Sequence, residues 1–494
     1  MTLVKLRFLL VLLAAHGALA QSCDQLFHSG TGGGTGGGTE GKVHSDFCRE
    51  WLELHPCRSQ QVKPCSPFTF GNLAGTAQTL ATGQPVHVAF GSIAPQNGFG
   101  AGLAFVEHKN YANEWRTSID VDAIATGNGS WRAGAYYKAF RLGSVAGPKP
   151  IGVVYGAAPK QRETFFHVAP VLNFYAQTTS LNRLFYYGLG TNTLPSGQTA
   201  FAFRETVAGA NAIVPLGRWG TSLYGEINGR VPQVRGDHHE SVPSIEQVYT
   251  EATAPGLTAQ HAFLEPGVGL RIQPELLKQS VRLHYLLEAQ SFTALGSTAY
   301  SFRRWTADFG HEFPLDSKVH LKAPDDHNGP DSCAPAGERC PSPTRVSSAF
   351  NKEGSITLRL LLSGSAAEKG SAVPFYFDPT FGGSDIDGTP ALASYPDYRF
   401  RGPNLLLFRE TFEHSIPRAP LGVYFGVDQG KVALRRNEIN FNGLHRSYTV
   451  GLTVHAGGLP VVYLLFAWGG QEGTHTSFSV SNQLLGGSAR PSLF

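Results

Sequence analysis

Segments of about ten residues that alternate apolar and polar side chains, repeated along most of a 494-residue chain with turn-forming residues between them, constrain this sequence more than any other feature. Successive side chains of a strand point to opposite faces, so a period of two gives each segment one apolar and one polar face. In Trp115–Ala123, the residues Trp115, Thr117, Ile119, Val121 and Ala123 share one face and Arg116, Ser118, Asp120 and Asp122 the other. In Val281–Ala289, Val281, Leu283, Tyr285, Leu287 and Ala289 oppose Arg282, His284, Leu286 and Glu288. Trp219–Arg230 repeats the pattern, with Trp219, Leu223 and Ile227 against Ser222, Tyr224, Glu226 and Asn228. Strands are expected near 84–93, 97–108, 113–125, 130–142, 163–177, 198–215, 218–231, 258–273, 279–292, 298–313, 354–364, 404–415, 420–427, 447–456, 459–468 and 476–486. A soluble β-sandwich also alternates, but its strands average about five or six residues. These run longer and carry Trp115, Trp131, Trp219, Trp305 and Trp468 near their ends, as interfacial aromatics do.

The start of the chain supplies the compartment. Lys5 and Arg7, an apolar run from Phe8 to Ala15 and the small residues Ala18-Leu19-Ala20 have the layout of a secretory signal peptide over residues 1–20. Past it we find no apolar run approaching the ~20 residues a spanning helix needs. Membrane residence then requires strands, because in lipid every backbone N–H and C=O must be paired within the protein. The expected fold is all-β, a transmembrane antiparallel β-barrel of about 16 strands over 83–494. Composition agrees, with 58 Gly, 11% aromatic and only 16% charged residues. A net charge of +3, dispersed along the chain, gives no reason to expect nucleic acid as a partner.

Residues 21–82 form a Gly-rich, Cys-containing periplasmic segment that reads either as a small cap or as a tail. The disulfide candidates are Cys23, Cys48, Cys57 and Cys65, with Cys333 and Cys340 far downstream. Two bridges in the first group and one Cys333–Cys340 loop are expected; a zinc site is the rival, disfavoured by the lack of paired C-x₂-C ligands. Short links at Gly217-Arg218 and Leu315-Asp316 read as periplasmic turns, and Thr178–Gly197 and Pro232–Leu257 as outer loops. Asp237-His238-His239-Glu240 holds metal-binding residue types, but adjacent histidines on one loop rarely converge, so a solvated loop is the reading and no metal or cofactor is expected. Arg116, Asp120, Arg282, Glu288, Arg304 and Asp308 are the charges a polar interior requires. No nucleophile, base and oxyanion set is visible, so the chain is not read as an enzyme.

The stretch from Pro374 to Val432 is polar, glycine-rich and arginine-bearing: Phe381-Gly382-Gly383-Ser384-Asp385, then Tyr398-Arg399-Phe400-Arg401-Gly402-Pro403-Asn404, then Gly426-Val427-Asp428-Gln429-Gly430. With Phe185-Tyr186-Tyr187-Gly188-Leu189-Gly190 upstream and three closing strands, it resembles the C-terminal barrel of the BamA/TamA bacterial surface antigen superfamily. The resemblance implies that residues 365–403 are a sixth outer loop folded back into the lumen, its tip docked on a Gly-x-Asp-x-Gly element. Gly426, Asp428 and Gly430 match that element. The tip departs from the pattern, with Leu392-Ala393-Ser394-Tyr395 where an arginine is expected. Arg399 or Arg401 then stands as the carboxylate's forked partner, with Gly382, Gly383 and Gly402 shaping the loop; the alternative is that both arginines are solvated rim residues. The ~60 residues before the barrel are fewer than one ordinary domain and do not read as a polypeptide-transport-associated domain.

The resemblance further implies a bacterial outer-membrane location and a conduit or insertase-like role in protein or lipid translocation and assembly. Its partners would be outer-membrane lipid and lipopolysaccharide, with unfolded outer-membrane or secreted proteins as clients. A passive pore and a structural or surface-binding barrel are the alternatives.

Overall fold

A computed structural model describes residues 86–111, 115–141, 170–216, 220–237, 241–276, 280–319, 349–384, 390–416, 419, 421–456, 459–470 and 472–480. The proposed leader, the segment 21–82 with its four cysteines, Cys333, Cys340 and His238-His239-Glu240 lie outside the described residues. The strands are β1 (Val86–Ser92), β2 (Phe99–Tyr111), β3 (Trp115–Thr126), β4 (Trp131–Arg141), β5 (Val171–Tyr186), β6 (Thr199–Pro215), β7 (Thr221–Gly236), β8 (Phe263–Ile272), β9 (Glu275–Leu276), β10 (Val281–Ala294), β11 (Phe302–Val319), β12 (Ala349–Ala367), β13 (Thr380–Phe381), β14 (Phe400–Arg401), β15 (Asn404–Ser415), β16 (Leu421–Ala433), β17 (His445–Ala456), β18 (Leu459–Gly470) and β19 (Gly473–Val480). A single helical turn, α1 (Ile245–Val248), sits in the β7–β8 connection. No helix of the described residues is long and apolar enough to cross a membrane.

Every wall strand pairs antiparallel with its sequence neighbour from β1 to β19, which makes the sheet a plain meander. β9 continues the edge of β8 against β10 after Gln273-Pro274. β13 and β14 pair only with each other and belong to the connection between β12 and β15. With β8 and β9 taken as one and that ribbon set aside, sixteen strands build the wall among the described residues. β1 and β19 approach one another, but no register joins them among the described residues.

Polarity is inverted relative to a water-soluble protein. In β3, Ile119 is exposed and Ala123 and Ala125 with it, while Asp120, Asp122, Ile124 and Thr126 are buried. Phe174, Ile227, Val268, Leu287, Phe425, Leu452 and Leu464 likewise face outward. The interior instead holds ion pairs: Arg132–Asp122 at 3.3 Å, Arg230–Glu205 at 3.2 Å and Arg359–Asp308 at 2.8 Å. An apolar outer band over a polar, paired interior is the arrangement of a transmembrane β-barrel wall.

Connections alternate between two ends. The links after β6 and β15 are short, at one end; at the other lie 187–198, 241–262, 295–301, 368–384 with 390–403, and 434–444. The loops expected at Thr178–Gly197 and Pro232–Leu257 share this second end, although their first residues extend β5 and β7. The expected fifth strand, 163–177, lies instead at 171–186. Leu315-Asp316 is not a turn: β11 runs through it, and an irregularity in its register with β12 absorbs one extra residue there.

Candidate functional site

Residues 368–384 and 390–403 belong to a strap that leaves β12, folds inward and returns to β15. Its first anchor is aromatic. Pro374 opens a 3-10 turn, Phe375–Phe377, whose three rings are buried. Phe375 packs against Tyr186 and Phe201 with ring centroids 5.0 and 5.3 Å apart. Phe377 meets Phe263 edge-on at 5.0 Å and Phe292 at 5.2 Å, and Phe203 lies 5.8 Å from Tyr376. These partners come from β5, β6, β8 and β10, and only a rolled sheet brings them to one loop.

Two arginines grip the backbone of this turn. From β11, Arg304 donates Nη2 to the Phe377 carbonyl and Nε to Ser365 Oγ at 3.2 Å, its guanidinium lying over Phe292 and Phe302. Arg401, on the strap itself, donates Nη1 to the Phe375 carbonyl at 2.8 Å. Carbonyls buried in an aromatic cluster need donors, and arginine supplies them while stacking on the rings. Between these cations lies Asp378, 1% exposed. Burial pushes its carboxyl up to about 8 against the opposing pull of Arg304 and Arg401.

The second anchor is polar. Asp428 of β16 accepts the Leu392 backbone N–H at 2.9 Å through Oδ2 and Arg409 Nε at 2.7 Å through Oδ1. Beside it Ser447 Oγ accepts the Ser394 N–H at 2.9 Å, and the Tyr395 hydroxyl lies 3.2 Å from His445 Nδ1. Phe400 stacks on His445 with centroids 4.1 Å apart. The tip is turned by Gly382 and Gly383, with φ of +110° and +56°. A Cβ on Gly383 would stand 2.2 Å from Asp397 Oδ1, so a side chain there would open the turn. Gly430 allows Phe381 of the strap to lie close to the wall, a Cβ there meeting the ring at 3.1 Å.

A third set of contacts ties the strap to its neighbours. Arg399, 1% exposed, donates Nε to Glu472 at 2.7 Å and Nη1 to Thr193 Oγ1 at 2.7 Å, between the rings of Tyr187 and Phe400. Asp397 accepts Gln96 Nε2 at 2.6 Å, and the Tyr398 hydroxyl donates to the Pro95 carbonyl at 2.8 Å. The Gly190 N–H donates to the Arg401 carbonyl at 2.7 Å, which places the Phe185–Gly190 segment against the same ribbon.

The structure therefore brings Gly382, Gly383, Arg399, Arg401, Gly402, Asp428 and Gly430 to one strap–wall interface but separates their roles. Asp428 is not partnered by Arg399 or Arg401: the first reaches Glu472, the second the aromatic turn, and the carboxylate's cation is Arg409 on β15. The reason is register, since Arg409 lies directly opposite Asp428 in the β15–β16 ladder. Neither arginine is a solvated rim residue. Gly426 faces Tyr424, not the strap. Sequence reasoning missed Phe375–Phe377, Asp378 and Arg409; the aromatic triplet inside an otherwise polar loop was the available signal. Among the described residues no group of three His, Cys, Asp or Glu is disposed to hold a metal ion.

No protein-family model and no curated protein matches the sequence. Among solved structures, the chain is similar to BamA from Haemophilus ducreyi lacking POTRA domains 1–3, at 10% identity and TM-score 0.44, over 80% of this chain and 69% of that one. It is also similar to CdiB from Acinetobacter baumannii (14%, TM-score 0.41) and CdiB from Escherichia coli (11%, TM-score 0.44), each over 80% of this chain. The chain spans 58% and 62% of those two CdiB chains, less than two thirds of their length.

Proposed function

We propose that this protein is an outer-membrane β-barrel that serves as a gated conduit for the translocation or assembly of polypeptides, with strap 368–403 as the element that closes its lumen. The observation carrying this reading is the strap's anchoring: aromatic, polar and ionic contacts hold it against at least seven wall strands. A loop whose largest side chains are buried against the wall is held across the lumen, as a closing element must be. The BamA and CdiB likenesses agree in fold class. Lipid and lipopolysaccharide are the surroundings such a wall would meet, and unfolded outer-membrane or secreted proteins its clients.

Planar-bilayer recording tests the gate. The unmodified protein is expected to show small, intermittent conductance, and a chain with 375–377 replaced by Gly-Ser-Gly a several-fold larger one. Large, steady conductance from the unmodified protein would instead establish a passive pore. Outer-membrane proteomics after depletion tests the clients: unchanged levels of every other barrel and exported protein would refute an assembly or translocation role.

A further inference from the structure

The outer wall carries one feature that a strap-gated lumen does not use. Arg409 points into the lumen, so Glu410, the next residue of β15, points outward, and it is exposed. Along its strand it lies between Phe408 and Phe412, and across the ladders it stands opposite Leu358 and Val427. Phe412 packs towards Phe425, which is 49% exposed on the same face. Among the described residues the Glu410 side chain has no hydrogen-bond or ion-pair partner. A carboxyl midway along a spanning strand and ringed by apolar side chains is unfavourable against hydrocarbon, and intramembrane ionisable groups as a rule meet a partner.

The same face supplies the complement. Leu358 of β12 is registered with Glu410 on one side and with His311 of β11 on the other. His311 faces outward beside Tyr285, whose hydroxyl lies 2.8 Å from its Nε2. Glu410 and His311 thus flank Leu358 symmetrically, about 10 Å apart across two inter-strand spacings. A two-fold axis along the membrane normal through Leu358 sets Glu410 of each copy opposite His311 of the other, the self-complementary pattern of an isologous interface. A strand tilt of about 40° offsets the facing groups in depth by about 6 Å. Across sheets packed about 10 Å apart, the two side chains span that offset.

We infer that the outer face of β11, β12 and β15 is a dimer interface with a second copy of this chain, centred on Leu358 and closed by reciprocal Glu410–His311 contacts. The inference is independent of the strap and of what the lumen carries.

Cross-linking of the full chain in lipid vesicles tests it. Leu358→Cys is expected to give a covalent dimer with a short bismaleimide, because sheets about 10 Å apart lie beyond the reach of a direct disulfide, well above the background of the unmodified chain with its native cysteines. Val268→Cys, equally outward on β8 and 63% exposed, is expected to stay at that background. Glu410→Leu suits a lipid-facing site and removes the contact; it should raise the dimer dissociation constant, read by analytical ultracentrifugation in detergent, at least tenfold. Exchanging the two residues, Glu410→His with His311→Glu, should restore dimers. Equal cross-linking at 358 and 268, or a chain that is monomeric at every concentration with Glu410→Leu only raising its thermal stability, overturns the proposal. So does a Leu358→Cys adduct formed solely with a different protein.

Discussion

The two anchors of the strap hold one segment by opposite chemistry. At Phe375–Phe377 the contacts are broad and apolar, shared among rings from four wall strands. At Leu392–Ser394 they are narrow and directional: one carboxylate, one hydroxyl and two backbone N–H groups. Apolar burial carries most of the energy but tolerates sliding, whereas a carboxylate aimed at a single N–H fixes position. The aromatic anchor therefore sets how firmly the strap is held, and the polar anchor sets its register on β16.

The largest effect should come from the aromatic side. Phe377→Ala removes a fully buried ring touching Phe263, Phe292 and Phe302 and should cost about 3–5 kcal/mol. Thermal unfolding followed by the heat-dependent shift in gel mobility would show it, together with raised conductance. Asp428→Asn keeps the shape and an acceptor but removes the charge opposing Arg409. A loss of about 1–3 kcal/mol is expected, with protease sensitivity appearing in 390–396 before the rest of the strap. A mutant that melts and digests like the parent would show that the polar anchor adds no specificity.

A smaller effect distinguishes the anchors by pH. Burial raises the Asp378 carboxyl from 3.8 to about 8 in the docked strap. A group that holds its proton more tightly when folded favours the folded state at low pH and loses that contribution as pH rises through the folded value. The thermal midpoint should therefore fall as pH rises from about 4 to about 8 and level off above it, and Asp378→Asn, which stays neutral, should flatten that slope. A parallel pH profile in the mutant would assign the dependence elsewhere.

Most of the wall was legible because period two survives without tertiary information: sixteen strands were expected and sixteen build it, with the strap after the eleventh. Leu315-Asp316 misled because a local turn pattern was absorbed as an irregularity in a long ladder. Asp428 was legible through its flanking glycines. Arg409 was not, since it sits in ordinary strand alternation and only the β15–β16 register shows what it faces. Phe375–Phe377 escaped for the opposite reason: three consecutive aromatics match no period, and their partners are scattered from Tyr186 to Phe302 in sequence.

The smallest effect belongs to the rim that supports the aromatic anchor from outside. Glu251, in the 237–262 connection, accepts the Thr258 hydroxyl and N–H, the Gly256 N–H and the Tyr300 hydroxyl. Burial alone would raise its carboxyl, but these donors outweigh it and hold the group at about 2, below its ordinary 4.5. Its stabilising contribution is thus present above 4.5 and lost as pH falls towards 2, the reverse of Asp378. Because Glu251 is only partly buried, that contribution is partly screened by solvent and small. Glu251→Gln should leave melting at neutral pH nearly unchanged while erasing part of the acid-induced loss below pH 4. In hydrogen exchange at neutral pH it should also loosen 250–259 without touching 390–396. Equal loosening of both segments would mean that rim and strap open as one unit, and that the two anchors are not separable.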